Sequence, residues 1–119
     1  MAKLDHLALT VGDLVATQDW YTSVLGLDVE FDTGHVTGLK DEGDFTLILS
    51  QDGSSPSRCA LYFQVEHVQT AYEEMSARGV TFRYAPQSND WGYGAGLTDP
   101  DGRLVGIWDE KSMREHDTG

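Results

Sequence analysis

Residues 90–110, DWGYGAGLTDPDGRLVGIWDE, read as strand, tight turn, strand. In Asp99-Pro100-Asp101-Gly102, proline presets φ at the second position. Aspartate accepts local hydrogen bonds, and glycine supplies the positive φ that a sharp reversal needs. The six residues after it, Arg103 to Trp108, alternate as a strand does. Leu104, Gly106 and Trp108 share one face, and Val105 and Ile107 share the other.

Working outward, the same grammar appears twice. A strand over residues 4–11 puts Leu7, Leu9 and Val11 on one face and His6, Ala8 and Thr10 on the other. Gly12-Asp13 ends it, and Asp13 is a suitable N-cap for a helix over 14–25. Leu14, Thr17, Tyr21, Val24 and Leu25 form its inward stripe, and Gly26 closes it. Strands over 27–31, 35–39 and 45–49 follow, then a polar linker over 52–57. The pattern restarts with a strand over 59–65, a helix over 68–77, and strands over 80–84, 95–98 and 104–108. Val11 falls on Val65, Gly26 near Gly79, and residues 41–51 on 99–109. The chain is therefore α+β, a tandem repeat of a β-α-β-β-β unit. Module one covers about 3–51 and module two about 58–110, in one 119-residue domain with a polar, frayed tail over 111–119. Two such units are expected to enclose a cavity between curved mixed sheets.

Composition narrows the partners. The formal net charge is −12 and no Lys/Arg cluster appears, so a nucleic-acid backbone is not expected to bind. Acidity of this kind gives a solvated surface, or a groove that attracts a cationic ligand. No apolar run reaches membrane-spanning length, and polar residues within the first six positions argue against a signal peptide. The one cysteine, Cys59, excludes an internal disulfide, suits a reducing cytoplasm, and reads as a buried inert thiol in an apolar run.

The opening HLALTVGDLVATQDWYTSVLGLDV and the closing WGYGAGLTDPDGRLVGIWDE resemble the vicinal oxygen chelate superfamily. That group holds glyoxalase I, extradiol dioxygenases, and fosfomycin- and bleomycin-resistance proteins. The resemblance implies paired modules forming a cup, and a homodimer. It also implies, in the family's enzymes, a divalent metal held by first-strand His or Gln and last-strand Glu. Carried over by the repeat, these positions are His6, Ile48, Ala60 and Gly106, so a single donor survives. One imidazole does not hold a divalent ion against water. Glu66, His67, Asp109 and Glu110 stand nearby in sequence but at strand ends.

The sequence reading is therefore metal-independent binding, without a cofactor, of a small cationic or aromatic organic molecule, in the manner of the bleomycin-resistance branch. The alternative is a lyase, isomerase or dioxygenase with a divergent metal site using His6. No catalytic residue is assigned. The candidate ligand contacts are His6, Tyr62, Gln64, Trp91, Tyr93 and Trp108. Tyr62, Gln64 and Trp108 share the parity of the missing ligands, and the small Ala60 and Gly106 leave room beside them. Trp91 and Tyr93 lie in a glycine-rich stretch, 88–96, read as a mobile loop, which the resemblance sets at the ligand mouth; a dimer contact is the other reading of these two rings. Trp20 and Tyr21 are read as core. Asp90, Asp109 and Glu110 are read as solvated surface charge.

Overall fold

A computed structural model describes residues 2–116. The chain forms two compact units that divide between Arg58 and Cys59.

In module one, β1 (His6–Thr10) leads into α1 (Leu14–Leu25), then β2 (Asp28–Asp32), β3 (Val36–Lys40) and β4 (Thr46–Ser50). The sheet order is β1-β4-β3-β2. The helix carries the chain from one edge to the other. Two antiparallel reversals then return it to lie parallel to β1. Asp13 caps α1 by accepting from the Ala16 N–H at 3.0 Å. One face of the sheet meets α1, and the core there holds Leu9, Val11, Leu14, Tyr21, Leu39, Leu47 and Leu49, all buried. Tyr21 is fully enclosed, while Trp20 is half-buried with its ring edge-on to Tyr21 at 4.9 Å.

Module two repeats this plan. It contains β5 (Leu61–Gln64), α2 (Val68–Ala77), β6 (Phe82–Asn89), β7 (Gly92–Thr98) and β8 (Leu104–Trp108), in the order β5-β8-β7-β6. Val68, Met75, Ala95, Leu97, Val105 and Ile107 make its core. The alternation read from residues 104–108 holds: Val105 and Ile107 are buried, while Leu104 and Trp108 on the opposite face are half-buried.

Three local expectations are corrected. The 88–96 stretch is a paired hairpin, not a loop. β6 and β7 run together to Asn89↔Gly92, with only Asp90-Trp91 at the turn. Its glycines make room for aromatic rings lying on the sheet. The polar segment after residue 110 is helical: α3 (Glu110–Glu115) packs on β7, capped by Asp109, which accepts from the Ser112 N–H at 2.7 Å. The end of the expected tail, 117–119, lies outside the described residues. Cys59 is exposed, because it precedes β5 instead of lying inside it.

Each module ties its last strand to its helix in the same way. The Leu14 N–H donates to Gln51 Oε1 at 2.8 Å, and the Val68 N–H donates to Asp109 Oδ2 at 2.7 Å. These are orphan donors of the first helical turn, satisfied from the strand end. Asp109 is thus a buried structural carboxylate and not a surface charge. Burial opposes its ionisation, but the N–H groups of Ser112 and Val68 outweigh that and hold its carboxyl below the ordinary value.

Candidate functional site

On β8 of module two, Gly106 faces away from the helices, at the place where the family resemblance expects a carboxylate ligand. Its parallel neighbour on β5 is Tyr62, and Gln64 sits beside Trp108 one register step on. A Cβ added at Gly106 would meet Tyr62 Cδ1 at 2.7 Å and Trp91 Cζ2 at 2.9 Å. A Cβ at Gly94 would collide with the Trp91 ring and with the Ile107 carbonyl, and one at Gly96 would meet Tyr84 Cζ at 2.6 Å. The glycines are therefore a floor on which aromatic rings lie at backbone distance. Gly106 does leave room, as its sequence suggests, but the room is taken by Tyr62 and Trp91.

These rings form a platform. Tyr62 and Trp91 are 5.0 Å apart between centroids, tilted by 57°, a favourable aromatic geometry. Trp91 is pinned at both ends. Its backbone N–H donates to Asn89 Oδ1 at 3.1 Å, and its indole Nε1–H donates to the Tyr84 hydroxyl oxygen at 2.8 Å. Tyr84 is brought over the sheet by a register shift between Phe82 and Tyr84. Tyr62 is 48% exposed, so the platform's outer surface is open in the chain. Tyr84 was not among the residues singled out from sequence. A signal existed, since Gly94 and Gly96 alternate on one face, which leaves a strand bare unless something large covers it.

Five of the six residues singled out belong to module two, and four of these, Tyr62, Gln64, Trp91 and Trp108, share this face or lie on it. Tyr93 does not. It alternates with Gly94 and stacks on the His116 ring at 3.6 Å, nearly parallel, while its N–H points to Met113 Sδ at 3.1 Å. It holds α3 to the helix-bearing face.

The sixth, His6, lies on the open face of module one, paired in register with Thr46. Its Nδ1 is 3.1 Å from Asp5 Oδ2, which leaves Nε2 outward; both side chains are more than half exposed, so the pair adds little stability. Across the same sheet, the Thr46 hydroxyl donates to Glu30 Oε2 at 3.2 Å, and Lys40 Nζ stands 3.6 Å from the same oxygen. Ile48, Ala60 and Gly106 offer no donor at the other family positions, so a family-type metal centre does not fit these residues. Among the described residues, no three His, Cys, Asp or Glu side chains gather to hold a metal ion.

The profile of the Glyoxalase/Bleomycin resistance protein/Dioxygenase superfamily matches residues 3–107. The chain belongs to this superfamily. No curated protein matches it in sequence. Among solved structures, it is similar to TnmS3, an antibiotic binding protein from Streptomyces sp. CB03234. The identity is 22% and the TM-score 0.76, over 92% of this chain and 96% of that one. It is similar to an integron cassette protein from the mobile metagenome of V. cholerae, at 28% identity and TM-score 0.71, over 92% and 95% of the two chains. A superfamily member from Sphaerobacter thermophilus DSM 20745 matches at 22% identity and TM-score 0.75, over 92% and 98%.

Proposed function

We propose that this protein binds a small, aromatic and cationic organic molecule without a metal, on the platform of module two. The observation that carries this reading is the occupation of the Gly106 position. Where the family's enzymes would place a carboxylate, this chain lays Tyr62 and Trp91. Rings of this kind, one end apolar and the other able to hydrogen-bond, recognise flat ligands by stacking and cations by their electron-rich faces. A formal net charge of −12 favours a cationic partner at long range. That TnmS3 is an antibiotic binding protein agrees with this reading.

Gln64 and Trp108 extend the ligand contact along β5 and β8. His6 offers a polar contact of its own on the open face of module one, and Tyr93 supports the platform through β7. The working unit is a homodimer in the cytoplasm that binds neither nucleic acid nor membrane. Exposed Phe31 on the open face of the first sheet suits a second copy, and the free Cys59 suits a reducing compartment. No helix among the described residues is long and apolar enough to cross a membrane.

The test is metal content and ligand-induced stabilisation on the same preparation. Protein incubated with zinc, manganese, nickel and iron(II) and then dialysed is expected to retain substoichiometric metal. Bleomycin and other cationic aromatic antibiotics are then screened by thermal shift. A binder held at ~100 times its dissociation constant adds about 2.7 kcal/mol of stability. Stoichiometric metal that is lost on His6→Ala would overturn the proposal in favour of a metal-dependent lyase, isomerase or dioxygenase.

A further inference from the structure

The Tyr84 hydroxyl has a proton that the fold does not use. Its oxygen accepts the Trp91 indole N–H at 2.8 Å. A phenol can accept and donate at once, and accepting from a neighbour polarises its own O–H. No acceptor for that proton is present among the described residues. The Tyr84 ring is fixed over Gly96 and cannot approach closer to the strand, since the contact there is already tight. The donor therefore stands at the rim of the platform, beside Trp91 and half-buried with it.

We infer that Tyr84 is a specificity-determining hydrogen-bond donor, which selects planar aromatic ligands carrying a carbonyl or similar acceptor at the ring edge. This rests on the platform being the binding site. Stacking on Tyr62 and Trp91 is tolerant, because any flat ring has a face to offer. A polarised donor at the edge is not tolerant. A ligand without an acceptor leaves that O–H unpaired when it covers the site, at the cost of desolvating it.

The test uses the full chain and two neutral fluorescent probes with one ring system. One is 2-(dimethylamino)naphthalene. The other is its 6-propionyl derivative, which adds a carbonyl at the edge and emits further to the red when that carbonyl accepts a hydrogen bond. The carbonyl probe is expected to bind the natural chain roughly threefold to tenfold more tightly than its partner. Its bound emission should be that of a hydrogen-bonded carbonyl. Tyr84→Phe should erase both the preference and the red shift, so that the carbonyl probe loses more affinity than the carbonyl-free probe, whose own loss reports the freed Trp91 ring.

Bound emission like that in an aprotic solvent would overturn the inference without any variant. Equal loss of both probes in Tyr84→Phe would also overturn it, since Tyr84 would then act only by holding Trp91. Failure of the platform itself reads differently. Neither probe would bind the natural chain, or Trp91→Phe and Tyr62→Ala would leave the carbonyl-free probe unaffected.

Discussion

Module one and module two share a frame and differ in what they hang on it. In each, a register shift in the second strand places an aromatic ring over a glycine of the third: Phe31 over Gly38, Tyr84 over Gly96. The residue before that ring reaches across the open face in both. In module one it is Glu30, beside Lys40 and Thr46. In module two it is Arg83, which donates to the Thr98 hydroxyl and the Gly102 carbonyl. The open face of module one is thus mixed, with the polar His6, Lys40, Thr46 and Glu30 beside the Phe31 ring. That of module two is aromatic, with Tyr62, Tyr84, Trp91 and Trp108. Beneath the sheets the contrast reverses. The turn before the last strand ends on apolar Phe45 in module one and on buried Arg103 in module two. The helix tie is a neutral Gln51 in one and a buried Asp109 in the other. A repeat keeps its backbone bonds while its faces are free to change chemistry.

The largest way to break this comparison is at Arg103. Its side chain is 2% exposed and donates to Asp99 and Asp101, each at 2.9 Å. Burial works against its charge, but the two carboxylates more than offset this and raise its pKa. Arg103→Ala would strand two acids in a site closed to water. A loss of about 3–5 kcal/mol is expected in urea unfolding. Phe45→Ala, at the equivalent turn of module one, removes no charge partner and should cost clearly less. Equal losses would mean that the ion cluster is no more than filling.

How far the sequence alone reaches follows from the same contrast. The repeat was legible because strand alternation, the N-cap at Asp13 and the Asp-Pro-Asp-Gly turn are local signals, and local signals agree with the fold here. The Asp99 turn is as its residues suggest, with the Gly102 N–H bonded to the Asp99 carbonyl at 2.9 Å. The parity of Tyr62, Gln64 and Trp108 was legible too, because period two leaves no freedom once one buried residue is placed. The hairpin at 88–96 was not. Glycine disfavours a strand by itself, and only the rings of Tyr84, from earlier in β6, and of Trp91, laid back from the turn onto the sheet, make glycine the residue that fits. Asp109 and α3 were missed for a related reason. A carboxylate followed by a polar stretch looks solvated until its two N–H donors, one of them from Val68, are brought to it by the fold.

Asp109 gives the next effect in size. Two short N–H bonds to a buried carboxylate make Asp109→Ala worth about 2–3 kcal/mol at pH 7. Gln51→Ala, which loses one neutral bond at a more exposed site, should cost about 1 kcal/mol. The pH dependence separates them further. The folded carboxyl of Asp109 lies below its unfolded value of about 3.9, so the unfolded state binds its proton first as pH falls. Its contribution is full above that value and is lost as pH drops through the folded one. The stability gap between the natural chain and Asp109→Asn should therefore narrow on going from pH 6 to pH 3, while the gap for Gln51→Ala stays level. A gap for Asp109→Asn that is flat with pH would show that its carboxylate is not the charged partner of these N–H groups.

The smallest effect lies inside helix α1. The Thr17 hydroxyl is fully buried and has no hydrogen-bond partner among the described residues. The repeat places Ala71 of α2 at the equivalent position, so module two carries no such group. A buried hydroxyl without a partner keeps its desolvation cost and returns nothing, whereas valine has nearly the same shape without the polar atom. Both residues are β-branched, so helix propensity changes little. Thr17→Val is expected to be neutral or stabilising by up to about 1 kcal/mol in equilibrium unfolding. Thr17→Ala removes the same hydroxyl but opens a gap against Tyr21 and the sheet, and should destabilise. Destabilisation by valine comparable to that by alanine would mean that the hydroxyl has a partner after all, a buried water being the candidate with the right size. Module one would then hold a polar core site that module two discarded, and the two cores would differ in chemistry as their open faces do.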